Sequence, residues 1–155
     1  MATATQLEQF IDRLGLRHFE GWELTPYWTR KRGKVSNAMP HERLWPNIVP
    51  TLIIADELRE RIGASCTILS SYRSPAYNAA VGGEAASFHM QFRALDITFA
   101  RGTPLDWQAM ALSLRGKKFK LPGNGGSFVW KGGIGLYRSQ NFIHLDTRGY
   151  NADWP

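Results

Sequence analysis

Cysteine is nearly absent: Cys66 stands alone in 155 residues. A disulfide-stapled fold and a cysteine-built metal cluster are therefore excluded. Its neighbours Thr67, Ile68 and Leu69 mark it as a small buried hydrophobe rather than a nucleophile. Long apolar runs are missing as well, and nothing approaches the roughly 20 residues a membrane-spanning helix needs. The N-terminal stretch holds Gln6, Glu8, Asp12, Arg13 and Arg17 and lacks the apolar core of a secretory leader. A protein soluble and cytoplasmic as synthesised is expected, one that would have to be released or carried in a virion to act outside. No repeat, low-complexity tract or linker divides the chain, so one domain over residues 1–155 is expected. Histidine is also scarce, at four residues.

What is present suffices for a core. Apolar residues make up 43% of the chain and include six tryptophans, and a domain of this length buries roughly 70% of its unfolded surface. The net charge of +6 is gathered partly at Arg30 to Lys34 and Lys117 to Lys120. Such runs read first as solvated loops, and charge alone does not select a partner. Salt-sensitive nucleic-acid binding through these loops is the weakest alternative, and no stable nucleic-acid partner is expected.

Along the chain, Leu7, Phe10, Ile11 and Leu14 recur at helical spacing over 4–14, and the aromatic-rich stretch that follows, to about Met39, reads as irregular. Leu44, Ile48, Leu52, Ala55 and Leu58 predict a helix over 42–62, interrupted early by Pro46 and Pro50 and stopped by Gly63. Strands are expected at 67–71, 94–99 and 141–146, with a short helix at 75–81 closed by Gly82 and Gly83. Thr103, Pro104 and Asp106 form a helix start, and that helix ends at Gly116. Helices come first and paired strands dominate the end, which predicts an α+β fold with a small antiparallel sheet flanked by helices. The run Gly123 to Gly126 lacks the Gly-Lys-Ser/Thr ending of a phosphate loop.

Two segments carry the chemistry. Residues 87–96 contain His89 and Asp96, and residues 142–148 contain His144 and Asp146, each among strand-forming residues. Histidine with carboxylate is the ligand set of catalytic zinc, which keeps one position open. Strand alternation puts Phe142, His144 and Asp146 on one face, and Ile143 and Leu145 on the other. A His–Asp hydrogen bond on an edge strand and a metal ligand beside a working carboxylate both satisfy that pattern. Arg73 lies just past a strand and before Pro75. Its planar fork suits a substrate carboxylate or carbonyl, and equally a surface ion pair. His18 and His41 read as surface or capping residues.

The ordered set Ser71-Tyr72-Arg73-Ser74-Pro75, Asn78, Val81-Gly82-Gly83, Ser87-x-His89 through Ala94-x-Asp96, Gly133-Ile134-Gly135 and Ile143-His144-Leu145-Asp146-x-Arg148-Gly149 resembles the zinc D-alanyl-D-alanine carboxypeptidase family. That group includes bacteriophage endolysins and shares its fold with the hedgehog signalling domain. The resemblance spans about residues 43–154, leaving 1–42 as an N-terminal helix and irregular extension. It implies one Zn2+ per chain held by His89, Asp96 and His144. It also implies Asp146 as general base, Arg73 as the substrate-orienting residue, and Tyr72 and Ser87 beside the substrate, with Ser87 alternatively steadying a ligand. The implied activity is hydrolysis of peptidoglycan stem peptides, as a D-Ala-D-Ala carboxypeptidase or an endopeptidase, by a monomer. Glycine is usual in the family where this chain has Phe92, and a small residue where it has Leu95. A bulky Phe92 covering the metal loop would instead suit a catalytically inactive peptide- or wall-binding module on the same fold.

Overall fold

The computed structural model describes residues 2–155. Helix α1 (Ala4–Asp12) opens the chain with a capping box in which Thr3 and Gln6 exchange side-chain and backbone bonds. Its buried residues, Leu7 and Ile11, join the main core. The aromatic stretch that follows forms short 3-10 turns at Gly21–Glu23 and Thr25–Thr29. Next comes a hairpin of β1 (Lys31–Arg32) and β2 (Val35–Ser36). Asn37 then ties this extension to the rest: its amide donates to the Tyr27 and Tyr72 carbonyls and its Oδ1 accepts from the Ser74 amide. Within the stretch read as an N-terminal helix and irregular extension, Leu7, Ile11, Phe19, Leu24, Tyr27 and Trp28 join the core of the remainder.

The region from Glu42 is a 3-10 turn, Glu42–Asn47, running into α2 (Ile48–Ile62). Pro46 lies within the 3-10 turn, and Pro50 falls in the first turn of the helix, where its missing N–H has no helical partner to lose. Gly63 closes α2 in the left-handed region, φ 69°. There follow β3 (Cys66–Ser70), α3 (Pro75–Ala80), β4 (Ala94–Phe99) and α4 (Pro104–Leu114), the last opened by the Thr103–Asp106 capping box. Cys66 is buried, and desolvation pushes its thiol up to about 12.

Besides the β1–β2 hairpin, which falls in the stretch read as irregular, two later pairings were not expected. The glycine-rich run is the turn of a hairpin, β5 (Lys118–Lys120) with β6 (Ser127–Val129). After β7 (Gly133–Tyr137) and β8 (Phe142–Asp146), the chain adds β9 (Ala152–Trp154) parallel to β7. The main sheet has the order β3-β4-β8-β7-β9, antiparallel except at that last edge. A three-residue strand at a chain end is too short for period-two alternation to register.

One face of the sheet presents Leu95, Ile97, Ile134, Ile143 and Leu145, all fully buried, against α2 and α4. Each such side chain contributes about 1.5–3 kcal/mol of burial. The other face carries the polar residues. No helix among the described residues is long and apolar enough to cross a membrane.

Candidate metal centre

Strand register builds the centre. Ser70 pairs with Asp96, Asp96 with His144, His144 with Gly135, and Gly135 with Trp154. One row of residues thus crosses all five strands, with Asp96 and His144 in the middle on a rigid frame. His89 arrives from a 3-10 turn, Phe88–Gln91, whose N-cap Ser87 accepts the His89 amide through Oγ at 3.3 Å. Helix α2 and the turn before it brace the end of this loop: Asn47 Nδ2 donates to the Gln91 carbonyl and Thr51 Oγ1 to that of Arg93.

The three side chains converge and are shielded, at 2% exposure for His89, 5% for Asp96 and 6% for His144. Asp96 Oδ1 lies 3.2 Å from His89 Nε2 and 3.0 Å from His144 Nδ1. Among the described residues these three offer ligand atoms within 4.8 Å of one another. Asp96 Oδ2 turns the other way, 3.2 Å from Arg73 Nη2, so one oxygen is committed to the guanidinium and the other faces both imidazoles.

Each imidazole is braced at its second nitrogen. His89 Nδ1 lies 2.7 Å from the Ser71 carbonyl, and His144 Nε2 lies 2.7 Å from Asp146 Oδ2. Two nitrogens and one oxygen, converging and steadied from behind, fit a zinc ion with one position open for chemistry. Burial lowers the His89 pKa despite the nearby Asp96. Burial also opposes charge on His144, but hydrogen bonds to Asp146 and Asp96 outweigh it and raise that pKa. Asp96 is held well below the usual carboxylate range: desolvation pushes it up, and the two histidines more than offset this.

Arg73 is wired inward. Besides Asp96, its Nε donates to Ser70 Oγ at 3.2 Å and its Nη1 to Asn78 Oδ1 at 3.4 Å. Its side chain stays 19% exposed, at the edge of the centre. The glycine near it has a steric reason. A Cβ on Gly83 would stand 2.1 Å from Asn78 Oδ1 and 3.1 Å from Arg73 Nη1.

Asp146 is fully buried behind His144. Its Oδ1 accepts from the Gly133 amide at 2.8 Å and from the Arg148 amide and Nε at 3.2 and 3.0 Å. Its Oδ2 accepts from Arg148 Nη2 at 2.7 Å as well as from His144. Trp154 lies against the His144 ring, centroids 5.0 Å apart, and donates to the Tyr137 hydroxyl. Gly133 and Gly135 leave room for these partners: a Cβ on Gly133 would meet Asp146 Oδ2 at 2.5 Å, and one on Gly135 would meet the Trp154 indole at the same distance.

Tyr72, expected beside the substrate, packs into the core at 8% exposure, edge-on against Phe92 with centroids 6.2 Å apart. Ser87 acts as a cap. Phe92 is fully buried with φ 54°, and its ring packs into the core. Glycine suits this left-handed position without strain, whereas a phenylalanine is held there by its packing. Leu95 lies fully buried on the core face, opposite Asp96. His41 caps a 3-10 turn, accepting the Arg43 amide, and His18 bonds Glu60 at the surface.

Arg148 and Trp154 stand out as supporting residues only in the folded chain. The spacing Asp146-x-Arg148 is a sequence signal for the first. Nothing local marks the second, which reaches the centre only through the parallel edge strand.

A family model described as Peptidase M15 matches residues 17–146, reaching further toward the N-terminus than the motifs at 43–154. No curated protein and no solved structure matches the chain.

Proposed function

Because the chain belongs to the peptidase M15 family, we propose that it is a zinc-dependent hydrolase of peptidoglycan stem peptides, of the D-Ala-D-Ala carboxypeptidase or endopeptidase type. The observation that carries this reading is the convergence of His89 Nε2, Asp96 Oδ1 and His144 Nδ1, each residue with a second polar partner behind it. These three residues would hold the ion. When bound, zinc supplies a Lewis acid that polarises a peptide carbonyl and lowers the pKa of water towards neutrality.

The remaining work falls to the chain. Arg73 holds Asp96 Oδ2, which leaves Oδ1 free to ligate, and keeps part of its guanidinium exposed for a substrate carboxylate or carbonyl oxygen. Ser87 fixes the backbone at His89. A binding module that has lost catalysis rested on a Phe92 covering the centre, and a ring packed in the core gives it no support.

The expected result is about one zinc per purified chain. Cleavage of defined muropeptides, followed by mass spectrometry, should stop on chelation and return with zinc. Protein that neither retains zinc nor cleaves after zinc is added overturns the reading. The masses of the products distinguish loss of a terminal D-alanine from a cut within the stem peptide.

A further inference from the structure

We propose that Asp146 is a positioning residue that acts through His144, and not the proton acceptor of the reaction. The inference rests on the zinc reading above. A general base needs a lone pair directed at the reacting water. Asp146 has both oxygens engaged by the Gly133 amide, the Arg148 amide, the Arg148 guanidinium and the His144 ring, and no part of it is exposed. It also stands on the far side of the ring from the ligand cluster: His144 turns Nδ1 to Asp96 and Nε2 to Asp146.

A carboxylate on one imidazole nitrogen sets the tautomer, keeping the proton there and leaving the other nitrogen bare for a metal. Both ring nitrogens of His144 face a carboxylate, Nε2 at 2.7 Å from Asp146 and Nδ1 at 3.0 Å from Asp96. The shorter contact and the side away from the cluster assign the proton of the neutral ring to Nε2 and leave Nδ1 to a metal. Arg148 secures Asp146 as an anion. It bonds both carboxylate oxygens, and its own guanidinium lies 4.4 Å from the Phe88 ring centre and 5.2 Å from that of Trp154. The glycine at 133 is part of the device, since any side chain there would displace the carboxylate.

The test measures zinc affinity by chelator competition for the full chain and for Asp146→Asn, together with the 15N shifts of the His144 ring. Thermal unfolding of the metal-free forms checks that the variant is folded. The expected outcome is a 10- to 100-fold loss of zinc affinity in Asp146→Asn. In the unmodified protein, Nε2 should carry the proton both with zinc and in the metal-free form at a pH where the ring is neutral, with Nδ1 unprotonated in each case and shifted by coordination only when zinc is present. Unchanged zinc affinity with turnover lost by about 10²- to 10⁴-fold, the signature of a missing general base, overturns the proposal. So does a proton on Nδ1.

If Asp146→Asn does not fold, Arg148→Met serves in its place, keeping Asp146 but removing its clamp. Zinc affinity should fall by a smaller factor, and no change in it counts against the proposal. A wild-type chain that binds no zinc would overturn the metallopeptidase reading. The metal-free 15N spectrum would still decide whether Asp146 sets the tautomer.

Discussion

His89 and His144 sit 5.1 Å apart, ring centre to ring centre, and are expected to do the same work, yet the fold holds them in opposite ways. His89 stands on a single 3-10 turn, is braced by a backbone carbonyl, presents Nε2, and has its pKa lowered. His144 stands mid-sheet, is braced by a buried carboxylate, presents Nδ1, and has its pKa raised. A loop ligand brings little order of its own, so its surroundings supply it: the Ser87 cap, the Asn47 and Thr51 contacts and the Phe92 ring. A sheet ligand has its backbone already placed, and the supporting residues set its ring and tautomer instead. As proposed ligands the two are expected to fail by different routes, the first through local unfolding and the second through misdirection.

The largest expected effect abolishes the contrast altogether. His89→Ala and His144→Ala should both lose stoichiometric zinc, by more than the about 100-fold upper range for removing a mere supporting group. Metal analysis after dialysis checks this, and retention by either variant would remove that residue from the ligand set. Next comes Phe92→Ala, which should destabilise the chain by about 3–5 kcal/mol and loosen the His89 side first. Phe92→Gly should recover about 1 kcal/mol of that by relieving the left-handed strain. Denaturant titrations compare the two, and equal midpoints would deny the strain.

Gly133→Ala probes the opposite side. Its methyl would crowd Asp146 Oδ2 and Arg148 Nη2 and should cost about 1–3 kcal/mol, with weaker zinc binding. If stability falls while chelator competition shows normal affinity, the bracing of His144 does not govern its ligation. Smallest is Ser87→Ala, which removes an N-cap worth about 1 kcal/mol. Hydrogen exchange confined to residues 87–93 would place that loss on the loop ligand, and exchange spread to β8 would erase the distinction between the two histidines.

Much of this contrast is legible in the amino-acid sequence. Period-two alternation separates His144 and Asp146 from Ile143 and Leu145, and Thr103 and Gly63 mark a helix start and a helix end. The Ser87–Asp96 and Ile143–Arg148 motifs name the ligand candidates. The burial of Tyr72 is not legible from sequence alone, because an aromatic beside Arg73 looks the same whether it faces solvent or core. Phe92 draws suspicion because a residue type says nothing about φ or about which way a ring turns. The β5–β6 hairpin hides behind its glycines, and β9 is too short to show a pattern.

Local chemistry is therefore settled by the chain: which residues prefer strand or helix, where elements stop, and which side chains can ligate at all. Those preferences act between neighbours a few residues apart, so one sequence suffices to read them. The roles are settled by tertiary contact. Asp96 and His144 lie 48 positions apart and meet only through strand register. The same register brings Trp154 over Gly135 to the His144 ring, and Asp146 is withdrawn from solvent by Arg148 and the Gly133 amide. Whether a carboxylate works on substrate or on a neighbouring ring depends on which lone pairs remain free, and only the folded surroundings determine that.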